Sequence, residues 1–182
     1  MLTKRVMNKI CFVGDGGVGK TSLIGRYVHD VFDDKYLATI GTKMTRKEII
    51  LDYPEKDVRF RIDAIIWDIM GQKVFRRLLH EAYFQGAKGI LGVCSLTDSE
   101  SLKSLNDWVE SIKAVVGDVP IVILANKSDL EHEIRLENDE IEDVATSCGA
   151  QHLYTSAKTG DNVENAFLTI GREMIKNQFN IT

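Results

Sequence analysis

The sequence is short of cysteine, has no surplus of positive charge, and contains no apolar run long enough to span a membrane. Each shortage narrows the possibilities. Cys11, Cys94 and Cys148 are odd in number and lack metal-ligand spacing, and Cys11 and Cys94 sit inside apolar runs. That pattern points to a reducing, cytosolic compartment and to thiols that act as small buried hydrophobes. A net charge of −4 gives no footing for a nucleic-acid surface or a polybasic membrane patch. No signal peptide is visible, residue 2 is Leu, and the stretch Gln178–Thr182 has no cysteine, so neither myristoylation nor prenylation is encoded here. The expectation is a cytoplasmic protein without a transmembrane segment, reaching a membrane only through a partner or through a tail beyond this chain. Internal repeats, low-complexity segments and interdomain linkers are also missing. The 182 residues therefore read as one domain, 1–182, with a substantial core.

What is present is concentrated near the amino end. Gly14-Asp15-Gly16-Gly17-Val18-Gly19-Lys20-Thr21 fits G-x-x-x-x-G-K-[ST] and reads as strand, glycine-rich turn and helix start. Glycines let backbone N–H groups curl into a concave nest, and the following helix aims its unpaired N–H groups and positive dipole end at the same spot. Lys20 adds a cation for the outer phosphates, the Thr21 hydroxyl suits the shell of a Mg²⁺ ion, and Ser22 belongs to the helix start. The letters also satisfy G-x-G-x-x-G through Gly14, Gly16 and Gly19, so a dinucleotide site stays open, although Lys20-Thr21 favours a nucleoside triphosphate.

Strands and helices alternate along the chain. Periodicity predicts strands at Lys9–Val13, Met44–Asp52, Val58–Trp67, Gly89–Ser95, Ile121–Asn126 and His152–Tyr154. It predicts helices at Lys20–His29, a short stretch near Leu78–Phe84, the segment around Leu102–Val116, Asn138–Cys148, and Asp161–Gln178 with Asp161 as N-cap. Tyr53–Asp57 is a hairpin turn, Val31–Gly41 a loop, and Ile65-Ile66-Trp67 a run entering the core. The result is an α/β fold with a doubly wound sheet whose ligands sit at the carboxyl ends of the strands.

Three further motifs fall at those ends. Asp68 is placed to anchor Mg²⁺, Gly71 is small enough to bring its N–H to a terminal phosphate, and the Gln72 amide can orient an attacking water. In Asn126-Lys127-Ser128-Asp129, the Asp129 carboxylate can accept two N–H bonds from the edge of guanine, Asn126 would tether the loop, and Lys127 would lie along the base. Thr155-Ser156-Ala157-Lys158 closes the last strand, where the Ala157 N–H can meet the guanine O6. His29, His80, His132 and His152 form no ligand cluster, and Trp108 reads as packing.

These four segments and Tyr36–Gly41, five in order from residue 14 to residue 158, resemble the Ras superfamily of small GTPases. Tyr36-Leu37-Ala38-Thr39-Ile40-Gly41 and Trp67-Asp68 are most similar to its Rab and Ras-like branches. The resemblance implies a P-loop G-domain with a mostly parallel six-stranded sheet, one antiparallel strand and about five helices. It implies a Mg²⁺-dependent switch that hydrolyses GTP to GDP and works with effector, exchange-factor and GTPase-activating proteins, as a monomer. It makes Thr39 the switch I threonine on Mg²⁺ and the γ-phosphate, sets Phe32 against the guanine, and closes Tyr36 over the phosphates. The resemblance also assigns Gly71 and Gln72 to switch II, so Gln72, Lys20, Thr39 and Gly71 are the expected catalytic group.

The chain departs from that pattern in Asp68-Ile69-Met70-Gly71-Gln72-Lys73, where the family shows Asp-Thr-Ala-Gly-Gln-Glu. Met70 is expected to crowd the terminal phosphate and Lys73 reverses a charge. A nucleotide-loaded scaffold with negligible hydrolysis is therefore a second reading, and an ATP-using or dinucleotide enzyme a third. Met44 stands where Phe is usual, and the run from Thr39 to Asp68 is longer than typical, consistent with an extended hairpin around Pro54. With no arginine finger evident in cis, turnover without a partner is expected to be slow.

Overall fold

Six strands pair into one sheet in the order β2-β3-β1-β4-β5-β6. The computed structural model describes residues 1–35, 37–72 and 80–181. The strands are β1 (Leu2–Val13), β2 (Thr42–Tyr53), β3 (Val58–Ile69), β4 (Ala87–Ser95), β5 (Ile121–Asn126) and β6 (Gln151–Thr155). All neighbours run parallel except β2 and β3, which are antiparallel and joined through a short 3₁₀ turn at Pro54–Lys56. Among the described residues, the helices are α1 (Lys20–His29), α2 (His80–Phe84), α3 (Ser99–Val116), α4 (Asn138–Cys148) and α5 (Val163–Phe179).

The core has two halves because the parallel strands are covered on both faces. On one face Ile10, Phe12, Leu91 and Leu124 pack with Leu23 and Ile24 of α1 and with Phe167 and Ile170 of α5. On the other Cys11, Val13, Ile90 and Ile123 pack with Phe84 of α2, Leu105 and Trp108 of α3, and Ile141 of α4. The three cysteines are free and buried, as the apolar runs around Cys11 and Cys94 predict for those two, and burial pushes the Cys11 and Cys94 thiols up to about 12.

Several strand and helix boundaries differ from those read in the sequence. β1 begins at Leu2, since residues 2 to 8 pair in register with Val58 to Ala64 of β3. Most side chains in that outer half are exposed, so main-chain bonding forms the strand and no apolar pattern marks it. In β3, which runs on to Ile69, the alternation continues through Trp67: Ile66 is buried, whereas Ile65 and Trp67 are only half-buried. The closing helix starts at Val163 behind Asn162, which takes a left-handed φ of 55°. Asp161 is not its cap, because its carbonyl accepts from the Ser156 N–H within the preceding turn.

Candidate functional site

The glycine turn, Asp68, Asn126–Asp129 and Thr155–Lys158 lie at the carboxyl ends of parallel strands, Thr39 precedes the antiparallel β2 beside the end of β3, and the sheet order brings these ends together. The turn after β1 ends at Gly19, where α1 begins with no side-chain cap, leaving its first N–H groups facing outward. Gly19 has a φ of +103°, and a Cβ there would lie 2.2 Å from Asn126 Nδ2. Only glycine meets both demands. The Asn126 amide occupies that space, donating to the Val18 carbonyl at 2.9 Å and accepting from the Thr155 hydroxyl at 3.1 Å. One buried side chain from β5 thus joins the first turn to β6.

Lys20 is buried and arches back over the turn, donating to the carbonyls of Gly14 at 2.7 Å and Asp15 at 2.8 Å. Burial lowers its ammonium to about 8, against the opposing pull of Asp68 and Asp15. Behind the turn, the Trp108 indole donates to Asp15 Oδ1 at 3.0 Å. Gly71 packs against the same peptide: a Cβ there would fall 2.4 Å from the Gly16 nitrogen.

Thr21, Thr39 and Asp68 converge. The Thr21 hydroxyl donates to Asp68 Oδ2 and lies 2.8 Å from the Thr39 hydroxyl. Asp68 Oδ1 is buried with no hydrogen-bond partner, and burial holds its carboxyl above the usual range despite Thr21 and Lys20. An orphaned carboxylate oxygen beside two hydroxyls fits a hard cation that takes its remaining oxygens from water and phosphate. Among the described residues no group of three or more His, Cys, Asp or Glu could hold a metal, so a site here depends on this mixed donor set.

At the far end, Lys127 adopts a left-handed φ of 69° and Asp129 Oδ1 accepts from the Ser156 hydroxyl at 2.6 Å. The Ser156–Gly160 turn is held from α1: Arg26 Nε donates to the Ala157 carbonyl at 2.9 Å and its Nη2 to the Lys158 carbonyl at 2.7 Å.

A cleft of about 500 Å³ runs from the glycine turn to this second turn. The sequence-predicted residues border it, apart from Asp15, Val18 and Ser156, which support it from behind, and Tyr36, which lies outside the described residues. Met70 is a correction: it is 8% exposed and does not line the cleft, so the expected crowding is not seen. Lys73 lies outside the described residues. Sequence reasoning missed Arg26 and the anchoring role of Trp108, because neither belongs to a motif and each acts on a partner 93 to 132 positions away.

The comparisons agree with this geometry. The sequence model of the Ras family matches residues 9–176. Ras-related protein Rab-8A of Gallus gallus is 36% identical over 167 residues, covering 91% of this chain and 77% of that protein. Ras-related protein Rab-8 of Diplobatis ommata is 34% identical over 168 residues, 92% of this chain and 77% of its own length. Ras-related protein Rab-8B of Pongo abelii is 35% identical over 168 residues, 92% and 78% respectively.

Proposed function

This chain belongs to the Ras family, whose members are GTP-binding switch GTPases, and from that premise we propose that the cleft binds GTP with Mg²⁺ and hydrolyses it to GDP. One observation carries the reading. The buried Asn126 amide fastens the loop bearing Asp129 to the Val18 carbonyl of the glycine turn. Base recognition and phosphate binding are thereby held at a fixed separation within one cleft. Asp129 selects guanine by accepting the two N–H bonds of its edge, with the Ser156 hydroxyl orienting the carboxylate through Oδ1. Phe32 and Lys127 flank the base, and Tyr36 covers the phosphates.

At the other end the amides of Asp15 to Ser22 and the Lys20 ammonium hold the polyphosphate. Thr21, Thr39 and Asp68 would hold the Mg²⁺, with the unpartnered Asp68 Oδ1 supporting that role. The ion neutralises charge on the phosphate oxygens when bound. Gln72 borders the cleft and orients the attacking water, while the Gly71 N–H senses the terminal phosphate. Loss of that phosphate releases Thr39 and Gly71, and with them both switch segments. The scaffold reading rested on an altered switch II, at Ile69, Met70 and Lys73, with Met70 distorting it; Ile69 and Met70 are instead buried outside the cleft, which does not favour that reading.

Turnover alone is slow, and a partner's arginine raises it by about 10³–10⁵-fold, the range known for this family. Leu37, Ile40 and Met44 are 78%, 93% and 61% exposed beside the cleft, which supports effector and regulator docking on this side. No described helix is long and apolar enough to cross a membrane.

Competition binding tests the reading. The Mg²⁺-supplied chain should bind a fluorescent GDP that GTP displaces and ATP does not. Asp129→Asn should move the preference from guanine to xanthine nucleotides. Displacement by ATP as effective as by GTP would end the guanine assignment.

A further inference from the structure

We propose that Arg26 is a positioning residue for base recognition, presenting the Ala157 N–H to the O6 of the bound guanine. The inference rests on the guanine reading above. Arg26 sits on α1, six residues beyond Lys20, so the helix that begins at the phosphate end also carries the clamp on the base end, about 9 Å along its axis. Its guanidinium is half-buried and committed on all sides. Nε and Nη2 hold the consecutive carbonyls of Ala157 and Lys158, while Nη1 reaches Asp30 Oδ1 at 3.0 Å and, at 3.5 Å, the Asp30 carbonyl. Arg26 itself does not line the cleft, whereas Ala157 and Lys158 do.

The consequence follows from the planarity of the peptide group, in which the carbonyl and the N–H point in opposite directions. The Ser156 carbonyl accepts from the Gly160 N–H at 2.9 Å, which turns the Ala157 N–H the other way. The Ala157 carbonyl, drawn towards Arg26, turns the Lys158 N–H away from α1. Arg26 thus fixes the exit side of the turn as Gly160 fixes its entry side, and the Ala157 amide is held between them. A lysine could satisfy one carbonyl but not two neighbouring ones, because it lacks the planar fork.

Nucleotide release tests this, using the Mg²⁺-loaded full chain chased with excess GTP and two ligands, GDP and 6-thio-GDP. The second keeps both N–H groups that face Asp129 but replaces O6 with sulfur, a weak acceptor. The wild type should release 6-thio-GDP faster than GDP. Arg26→Gln should speed GDP release about tenfold and 6-thio-GDP release by less than about twofold, since the contact being loosened is already lost in the analogue. Arg26→Lys should fall between the wild type and Arg26→Gln, and it carries the same comparison if Arg26→Gln fails to fold. Equal acceleration of both ligands would make Arg26 a general structural brace and overturn the inference, as would unchanged GDP release. A wild type that binds neither ligand would instead sink the guanine reading, and this inference with it.

Discussion

Gly19 has no room for a β-carbon, and the atom it would strike is the amide that joins the two ends of the cleft. Gly19→Ala should therefore cost more than its backbone strain of about 1–3 kcal/mol. Displacing Asn126 also breaks the bond to Val18, so GDP affinity should fall at least about tenfold and thermal melting should drop by about ten degrees. Equilibrium titration and a melting curve on the same sample separate the two effects. Asp68 gives a metal-removal prediction. EDTA should speed GDP release from the wild type, whereas Asp68→Ala should release GDP fast with or without the chelator. The glycine turn, Asp68 and Asp129 were legible in the sequence because their chemistry dictates both residue type and spacing. Arg26 and Trp108 were not: a guanidinium bonding main-chain carbonyls leaves no mark on the sequence of its partners.

Among the secondary-structure elements, the β2–β3 hairpin carries its charged residues in cross-strand pairs. Its wet side carries cross-strand ion pairs: Arg59 with Asp52 at 2.5 Å, Arg61 with Glu48 at 2.8 Å, and Arg46 with Asp63 at 3.1 Å. Hydrogen bonds from Arg61 and Arg59 hold the Glu48 and Asp52 carboxyls below their usual range. A lowered carboxylate pKa contributes stability above the unfolded value and loses it as pH falls through the folded one. Arg61→Ala should thus lower the melting temperature slightly at neutral pH. The gap to wild type should close on acidification below the ordinary carboxylate range, and in high salt. The hairpin could be read from alternation and Pro54. The outer half of β1 could not, because exposed side chains give no period to detect, and the α5 boundary slipped because Asn162 starts that helix without a side-chain cap.

The whole molecule is held by two core halves, and Phe167 is the keystone of one, stacked on Tyr27 with Phe12 tilted beside it. Phe167→Ala should lose about 3–5 kcal/mol in denaturant titration, with the slope unchanged if unfolding stays two-state. Burial, with the Glu164 charge adding to it, pushes the Tyr27 phenol up to about 12. A raised phenol pKa means stability that is intact below the unfolded value, near 10, and lost as pH rises towards 12. Tyr27→Phe should flatten that alkaline decline relative to wild type. A single phenylalanine thus bears on α1, the helix that follows the glycine turn, through a contact between residues 140 positions apart, which is why α1 and α5 were predictable as separate helices but not as partners.

β2 stands last in the sheet, its outer row of main-chain N–H and C=O groups left beyond the final ladder of this 12-residue strand. Such a rim invites another polypeptide to extend the sheet indefinitely. Lys43, Arg46 and Lys47 lie along it, so two copies laid rim to rim would crowd like charges together. Fibril growth through this border is thereby discouraged, and neutralising those three cations together should turn a dispersed protein into one that self-associates.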